Sequence, residues 1–428
     1  MSQYLAHIAE VKPLEKGVRM ADYDLLVLDK ETCAASGREL AGEALKGGTA
    51  VLVLNAGDEE KKILHEVIGF RSEGPGAAYL VLPLRDSAGR AHFRIFEQRY
   101  PTRLQKLIRV MATGEGDGLT DESEPVEIDL AQEEDSEHLF ELSQEQLKAF
   151  GDRVRDLLRS RQTLVDPAPG VPDGLKTMIW FYDQDQSFTA AGTKSKVGTP
   201  KPQYLSCFTT YEFQAFLNDW PVTGAFQYLY LRQSGIYQTN GMVKNNSHER
   251  GWYLTQLSPS FAAPSELFYY QSSPANTSGS KQVTTSTGFQ VDFNSGGSGA
   301  SYNFSSSTTE TIYEWQIIQQ TGNAWQYFQA TPYSGTTTSF PSSAVESNDK
   351  GEIKPMPVIS RYSLQFDVQA VWKTRRVLRE ALPVSTYNYL RADYIKTEYE
   401  SGTKWHGTWW YSPSDWPATY YIDFALVS

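Results

Sequence analysis

The sequence is poor in cysteine, in basic charge and in long apolar runs. It contains 2 cysteines, Cys33 and Cys207, among 428 residues. Two thiols cannot build a disulfide framework or a four-thiolate zinc site. No run of about 18 apolar residues occurs, so the sequence predicts no transmembrane helix. The first 20 residues contain no apolar stretch after a basic start, so we expect no ordinary secretory signal peptide.

Basic residues are outnumbered by acidic ones. The chain has 39 Lys and Arg against 51 Asp and Glu, which gives a formal net charge of −12. A protein that binds nucleic acid needs a basic face that neutralises phosphates. Nucleic acid is therefore not the partner that this composition favours.

Motifs of enzyme chemistry are also lacking. We find no GxGxxG or GxxxxGKS/T loop, no GxSxG elbow and no HExxH pair, and residues 173–428 contain only His248 and His406. A buried structural role is more usual for Cys33 and Cys207 than nucleophilic catalysis. We therefore expect no enzyme activity, no cofactor and no metal.

The composition changes near residue 172. Residues 1–172 carry 21 basic and 31 acidic residues, and the remainder carries 18 and 20. The first part has nine aromatic residues and no Trp, and the second has 46, including all 10 Trp. This shift predicts a domain boundary, with an α/β domain at 1–112, a linker with a helix at 113–172, and a β domain at 173–428.

The first part alternates apolar runs with helical patterns. Such alternation is typical of a small α/β layer. We predict strands at 23–28, 49–54 and 78–82 and helices at 36–46 and 58–68. Ser36, with Glu39 three residues later, is the expected start of the first helix.

An acidic tract follows at 113–139 and leads to a helix at 143–161. Between Glu115 and Glu145 there are thirteen acidic residues and no Lys or Arg, so the tract is expected to stay solvated. Two interpretations remain open: an ordinary linker, or a protease-sensitive connection to a removable pro-region. The basic candidates for cleavage are Arg153, Arg155, Arg159 and Arg161.

From residue 178 the chain alternates with period two. The clearest run is 364–372, where apolar residues occupy every second position and predict an antiparallel strand with one buried side. Runs 227–231 and 418–426 predict further strands, and only 375–382 resembles a helix. Many Tyr, Thr and Trp residues with Ser, Gly and Asn turns favour an all-β sandwich.

Residues 271–330 contain two short arms that alternate apolar and polar residues around a turn at Gly297. The apolar members are Phe289, Val291, Phe293, Ala300, Tyr302 and Phe304. Transmembrane β-hairpins need this pattern because one side faces lipid and the other faces water. A surface hairpin of a sandwich has the same pattern. The clear alternation is short, so residues 305–312 must join it to reach the 9–11 residues of a spanning strand.

Four Trp residues lie near the C-terminus: Trp405, Trp409, Trp410 and Trp416. They suit a sandwich core, a bilayer interface or a sugar-binding surface. Trp409 and Trp410 are adjacent, so in a strand they point to opposite faces. Both cannot be core residues if only one face of the sheet is covered.

Three segments resemble the leukocidin/hemolysin family of β-barrel pore-forming toxins. Ser273-Pro274 to Gly288-Phe289 resembles the segment that enters the family's prestem hairpin. Met356-Pro357-Val358-Ile359-Ser360-Arg361-Tyr362 is similar to its rim motif, and 405–424 to its Trp-rich turn and final strand. The resemblance covers about 175–428, and nothing in 1–170 belongs to it.

This resemblance implies an α+β multidomain chain whose mainly antiparallel sandwich carries an amphipathic prestem hairpin. The hairpin would run from Gly288 to Trp315. The implied membrane rim comprises Trp325, Tyr327, Met356, Arg361, Tyr362, Trp409 and Trp410.

The implied function is pore formation. A secreted soluble monomer would bind a target-cell membrane through a lipid headgroup or a glycan receptor. It would then form a homo-oligomeric ring and insert one hairpin per protomer into a β-barrel. The export route stays open because no signal peptide is recognised. The alternative is a soluble carbohydrate- or cell-surface-binding β-sandwich that does not insert.

Overall fold

A computed structural model gives the fold of most of the chain. It describes residue 12 and residues 19–86, 89–103, 106–115, 118–121, 124–129, 142–160, 176–189, 204–218, 225–238, 248–274, 283–284, 287–292, 301–306, 311–312, 315–329, 339–354 and 363–428. These residues are predominantly in β-strands. No helix within these ranges is long and apolar enough to cross a membrane.

Three α-helices occur in the described residues: α1 at Lys30–Lys46, α2 at Asp58–Ile68 and α3 at Gln144–Ser160. Helix α1 begins earlier than expected because Asp29 caps it, accepting a hydrogen bond from the Thr32 amide at 2.8 Å. Helix α2 ends at Gly69, whose φ of 71° is a left-handed conformation that glycine adopts without strain.

The strands form two large sheets. The first sheet contains β1 Leu25–Leu28, β2 Ala50–Leu54, β4 Gly76–Arg85, β5 Ala91–Arg99, β6 Thr102–Arg103, β10 Thr177–Thr189, β11 Tyr204–Asn218, β12 Phe226–Gln238, β14 Leu267–Ser273 and β21 Ser363–Thr374. The second contains β3 Phe70–Ser72, β7 Lys106–Glu115, β8 Gly118–Asp121, β9 Val126–Asp129, β13 Glu249–Ala262, β19 Trp315–Thr321, β20 Ala324–Gln329, β22 Ala381–Ser401 and β23 Lys404–Asp423.

The strand order places N-terminal strands beside C-terminal ones. The first sheet runs β1-β2-β4-β5-β10-β11-β12-β21-β14, and the second runs β19-β20-β13-β22-β23-β7-β8. Strand β3 also pairs with β23, and β9 pairs with β7. The strands expected at 23–28, 49–54, 78–82, 227–231 and 364–372 are confirmed. The strand expected at 418–426 ends at Asp423.

The helix expected at 375–382 is wrong, because residues 375–380 are irregular and Ala381 begins β22. The buried side chain of Gln227 takes the place of helical hydrogen bonds there. Its Oε1 accepts from the Leu378 amide at 2.7 Å, and its Nε2 donates to the Leu378 carbonyl at 3.1 Å. A tertiary contact thus overrides the helical pattern.

The two sheets pack face to face around one apolar core. On β21 the alternating residues Phe366, Val368 and Trp372 are buried in this core together with Leu257 of β13 and Tyr420 of β23. The core therefore contains residues of both sheets, as in a β-sandwich. The alternation seen in the sequence correctly identified the inner face of β21.

The shift in composition at residue 172 is not a boundary between two folded units. Strand β5 pairs in parallel with β10, joining Phe93 to Trp180. Strands β3 and β7 add to the C-terminal strand β23. The boundaries at 112 and 172 are corrected accordingly, because strands on both sides need each other's backbone partners.

A buried ion pair reinforces this junction. Lys61 Nζ of α2 lies 2.5 Å from Glu97 Oε1 of β5, and both side chains are 0 % exposed. Ser72 of β3 donates to Glu97 at 2.6 Å, and Tyr182 of β10 also donates to it. Burial alone would raise the pKa of Glu97, but Arg99 and Lys61 hold it below its ordinary value. A buried charge that loses its partner destabilises a protein strongly.

Helix α3 packs on the outer face of the first sheet. Phe150 stacks on Phe96 with ring centroids 5.8 Å apart, and the Arg153 guanidinium lies 4.6 Å from the centre of the Phe208 ring. Nearby, burial raises the pKa of Asp185 to about 6 although Arg153 lowers it. Residues that contact the sheet in this way cannot enter the active site of a protease while the helix is folded.

This packing bears on the four candidate cleavage sites. Arg153, Arg155 and Arg159 lie within α3, and Arg161 lies outside the described residues. Cleavage at the first three requires the helix to unfold, so the expectation of a readily cut connection is corrected for them.

A cut between α3 and β10 should leave both pieces associated. We would insert a specific protease site after Val171 and cleave the folded protein. Because β5 pairs with β10 and Tyr182 of β10 donates to the buried Glu97, both pieces should co-elute in gel filtration and separate only in denaturant. The isolated piece 173–428 should fail to fold, since it lacks β3, β5 and β7.

The contrary result is a monomeric 173–428 fragment with the circular dichroism and thermal transition of the intact protein. Such a fragment would show that the N-terminal segment is dispensable for folding and would restore the pro-region interpretation. The uncut protein with the inserted site serves as the control.

Candidate functional site

Four strands between β14 and β19 form two antiparallel pairs outside both sheets. Strand β15, Val283–Thr284, pairs with β18, Thr311–Ile312, and β16, Thr287–Asp292, pairs with β17, Ser301–Ser306. We call residues 283–312 the hairpin. In the part of the chain that the structure describes, each of these pairs is a separate two-stranded sheet. Both outer edges of β16 and β17 are therefore without a described strand partner.

The register of β16 and β17 pairs apolar residues with apolar residues and polar residues with polar residues. Phe289 lies opposite Phe304, and Val291 lies opposite Tyr302. The positions between them pair Gln290 with Asn303 and Asp292 with Ser301. Opposed residues share a face, and successive residues alternate between faces. The hairpin thus has one row of apolar positions and one row of polar positions.

Pairing is described over two stretches of the hairpin: Val283–Thr284 with Thr311–Ile312, and Thr287–Asp292 with Ser301–Ser306. The second ladder has six residue pairs, which span roughly 20 Å at about 3.3 Å per residue. Of residues 305–312, which the length argument required, Ser305, Ser306, Thr311 and Ile312 are paired, and 307–310 lie outside the described residues.

The two ladders are separated by unequal numbers of residues. Thr284 lies opposite Thr311 and Thr287 lies opposite Ser306, so residues 285–286 separate the ladders on one arm and residues 307–310 separate them on the other. These six residues lie outside the described residues. Gly288, expected at the start of the hairpin, lies opposite Ser305. Phe293, Gly297 and Ala300 lie outside the described residues.

The base of the hairpin is fixed to the sandwich by Trp325. Its Nε1 donates to the carbonyl of Pro274 at 2.8 Å, directly after β14 ends at Ser273. The Trp325 side chain is 0 % exposed, and its ring lies 5.4 Å from that of Phe261 in an edge-on arrangement. Trp325 therefore holds the point at which the chain leaves the first sheet.

Two more contacts join the two sheets at this base, and the second of them connects the strands that flank the hairpin. The Tyr327 hydroxyl donates to the Asp367 carbonyl at 3.0 Å, and burial raises the pKa of Tyr327. Gln319 Nε2 of β19 donates to Ser272 Oγ of β14 at 2.7 Å. The strand before the hairpin and the strand after it are thus tied across the two sheets. Trp315, the expected end of the hairpin, begins β19 opposite Gln329.

The aromatic rim expected at four of these positions is corrected. Trp325, Tyr327, Trp409 and Trp410 are all buried in the described structure. Trp410 lies in the core between the sheets, and Trp409 lies in a second apolar cluster on the outer face of β22 and β23. Adjacent Trp residues can both be core here because residues 340–353 cover that outer face.

A buried polar contact fixes Trp409 in place. Its Nε1 donates to Asp393 Oδ2 at 3.1 Å, and Arg391 Nε pairs with Asp393 Oδ1 at 2.9 Å. The remaining rim candidates, Met356, Arg361 and Tyr362, lie outside the described residues.

Exposed aromatic side chains occur where the sequence reading did not place them. Tyr269 and Tyr270 of β14 are 49 % and 42 % exposed. The signal was present as two adjacent Tyr residues in the strand that leads to the hairpin. Adjacent residues of a strand cannot both face one core.

The two thiols offer no reactive group. Burial raises the pKa of Cys33 to about 11 and that of Cys207 to about 12. Both thiols therefore stay protonated near neutral pH, and a thiol is a much weaker nucleophile than a thiolate.

Replacement of Trp325 tests the anchor. Trp325→Phe keeps a large ring but removes the donor to Pro274, so the free energy of unfolding should fall by about 1–3 kcal/mol in urea titrations. Trp410→Phe is the matched control, because Trp410 is also buried and its Nε1 has no hydrogen-bond partner among the described residues. Equal losses from both replacements would show that the hydrogen bond to Pro274 contributes nothing specific.

Comparisons with known proteins give weak likenesses. No protein-family model matches the chain, and no curated protein matches it. One similar solved structure is described as a pore forming protein. It has 12% identity and a TM-score of 0.34, and the match covers 58% of this chain and 93% of that one.

A second is the NetB toxin of Clostridium perfringens in its membrane-inserted form. It has 11% identity and a TM-score of 0.29, with 57% of this chain and 96% of that chain covered. At these TM-scores neither likeness decides the fold or the function of this chain.

Proposed function

We propose that this protein binds a membrane, oligomerises and inserts the hairpin 283–312 of each protomer into a transmembrane β-barrel. The observation that carries the proposal is the register of β16 and β17, which places Phe289, Val291, Tyr302 and Phe304 in one row of positions. A barrel strand needs this arrangement because it faces lipid on one side and water on the other.

The position of the hairpin outside both sheets supports release. A ribbon that is paired only with itself, in the described residues, can leave without breaking the ladders of either sheet. Its two edges are then available for copies from neighbouring protomers. Closure into a barrel is required because an unpaired strand edge is intolerable in lipid.

The base of the hairpin would act as the hinge of this conversion. Trp325 and Gln319 tie the flanking strands to the sandwich, so the sandwich keeps its structure while residues between Pro274 and Trp315 move. In this account the N-terminal segment is part of the sandwich and not a removable pro-region, because it contributes strands to both sheets.

The second class of function is a non-inserting protein that binds carbohydrate or a cell surface. It explains the exposed Tyr269 and Tyr270 but gives no reason for a two-faced hairpin outside both sheets. The two functions differ in one outcome, which is whether bound protein permeabilises a vesicle.

Asp replacements on the two faces of the hairpin test insertion. Val291→Asp and Tyr302→Asp place charge on the apolar row, where a charge facing lipid costs up to a few kcal/mol. Dye release from liposomes should fall by about tenfold or more. Gln290→Asp and Asn303→Asp lie on the polar row and serve as matched controls that should keep dye release.

Binding to liposomes and thermal unfolding should be measured for all four variants, so that a loss of release is not a loss of folding. Equal dye release by variants of both rows would contradict insertion. Binding by the wild type without release under any lipid composition would favour the non-inserting function.

A further inference from the structure

One end of the first sheet carries cations and aromatic rings side by side. Lys373 of β21 lies opposite Tyr228 of β12 on one side and opposite Phe268 of β14 on the other. Directly opposed residues share a face, so these three residues form a row across three strands. The row lies on the face that points away from the core, since the neighbouring residue Trp372 is in the core.

The cations of this row lie against aromatic rings. Lys373 Nζ is 3.8 Å from the ring centre of Phe226 and 5.9 Å from that of Tyr228. The Arg375 guanidinium is 3.9 Å from the ring centre of Phe268. These contacts hold the long side chains in place while leaving their N–H groups available to an anion. We call Phe268, Tyr270, Lys373, Arg375 and Arg376 the aromatic–basic surface; the ring of Tyr228 beside it is buried.

This surface is positive within a chain of net charge −12. Residues 373–379 contain four cations, and the nearest acidic residues in sequence are Glu380, directly after them, and Asp367, six residues before Lys373. Within the described ranges, Lys373, Arg375 and Arg376 form no ion pair. Arg375 and Arg376 are exposed. Positive charge that is not neutralised inside the molecule attracts an external anion.

Tyr270 completes the surface because β14 has a bulge. The register shifts between Tyr269 and Gln271, which leaves Tyr270 as the extra residue. Its ring packs edge-on against Tyr228 at 5.8 Å and is 42 % exposed. Strand β14 then ends at Ser273 and the chain proceeds to the hairpin at Val283. The surface is therefore close in sequence to the segment proposed to insert.

We propose that the aromatic–basic surface binds the anionic headgroups of a membrane. Arg and Lys near an anionic leaflet each strengthen binding, and Tyr rings are stable at the boundary between headgroups and acyl chains. A small soluble anion would use the cations but leave Tyr270 in water. This inference rests on the proposed membrane function and adds the class of lipid to it.

Vesicle co-sedimentation tests this surface. The intact protein is mixed with vesicles of phosphatidylcholine alone or of phosphatidylcholine with phosphatidylglycerol. Binding should be stronger to the anionic vesicles and should weaken as sodium chloride is raised, because salt screens exposed charges.

Matched variants identify the residues responsible. Arg375→Gln with Arg376→Gln should weaken binding to anionic vesicles by about tenfold or more. The control is Lys30→Gln with Lys46→Gln, which makes the same change in net charge. Both are exposed cations of α1, which packs at the opposite edge of the sheet, so this variant should bind as the wild type does. Tyr270→Ser should weaken binding, and Tyr270→Phe should restore it.

Equal binding to both kinds of vesicle would overturn the inference, and so would an equal loss of binding in both pairs of charge variants. No effect of Tyr270→Ser on binding would also overturn it. Loss of binding in millimolar inorganic phosphate would overturn it as well, because it would indicate a discrete phosphate site. A failure of this inference can be distinguished from a failure of the proposed insertion. Dye release without a lipid preference would retain insertion alone, and anionic binding without dye release would retain docking alone.

Discussion

Hydrogen bonding between strand edges determines how the two parts of this chain are joined. Without the N-terminal segment, β10 and β23 would each have an unpaired edge, and β5 pairs with the first while β3 and β7 pair with the second. Tyr182 of β10 also donates to Glu97, which is buried with Lys61 in the N-terminal segment, so this ion pair is linked to the C-terminal part. A sharp change in composition therefore crosses one continuous structure.

The hairpin differs from the N-terminal strands in its pairing. Its strands pair with each other and, as far as the structure describes, with no strand of either sheet. Both sheets keep their described ladders without it, and the outer edges of β16 and β17 have no described strand partner. A segment with such edges is suited to the exchange that the proposed insertion requires, from partners within one chain to partners in several chains. The hydrogen bond from Trp325 to Pro274 would limit such an exchange to the residues beyond it.

Much of the local structure could be predicted from the sequence, because it depends on period and on turns. The alternation at 364–372 identified the inner face of β21, and the arms around Gly297 identified a hairpin. Burial of the Trp residues could not be predicted in the same way. Trp409 is buried because a segment distant in sequence, 340–353, covers the outer face of its sheet, and no pattern local to Trp409 records that cover.

The domain boundary that the composition predicted near residue 172 was wrong for a related reason. Charge and aromatic content describe the solvent side and the core side of a segment, but they do not say which strand it pairs with. The parallel pairing of Phe93 with Trp180 joins residues whose local sequences are both ordinary strands. The helix pattern at 375–382 was likewise overridden by one distant side chain, Gln227.

Labelling along the hairpin tests the central claim most directly. Single Cys replacements from 287 to 292 and from 301 to 306 would carry a nitroxide, with Cys33 and Cys207 protected by their burial. On liposomes the account predicts an accessibility to oxygen that alternates with period two, highest at 289, 291, 302 and 304, and an opposite alternation for a water-soluble nickel reagent. Labels that remain water-accessible at all positions, or that show no alternation when the protein is bound, would contradict insertion of the hairpin.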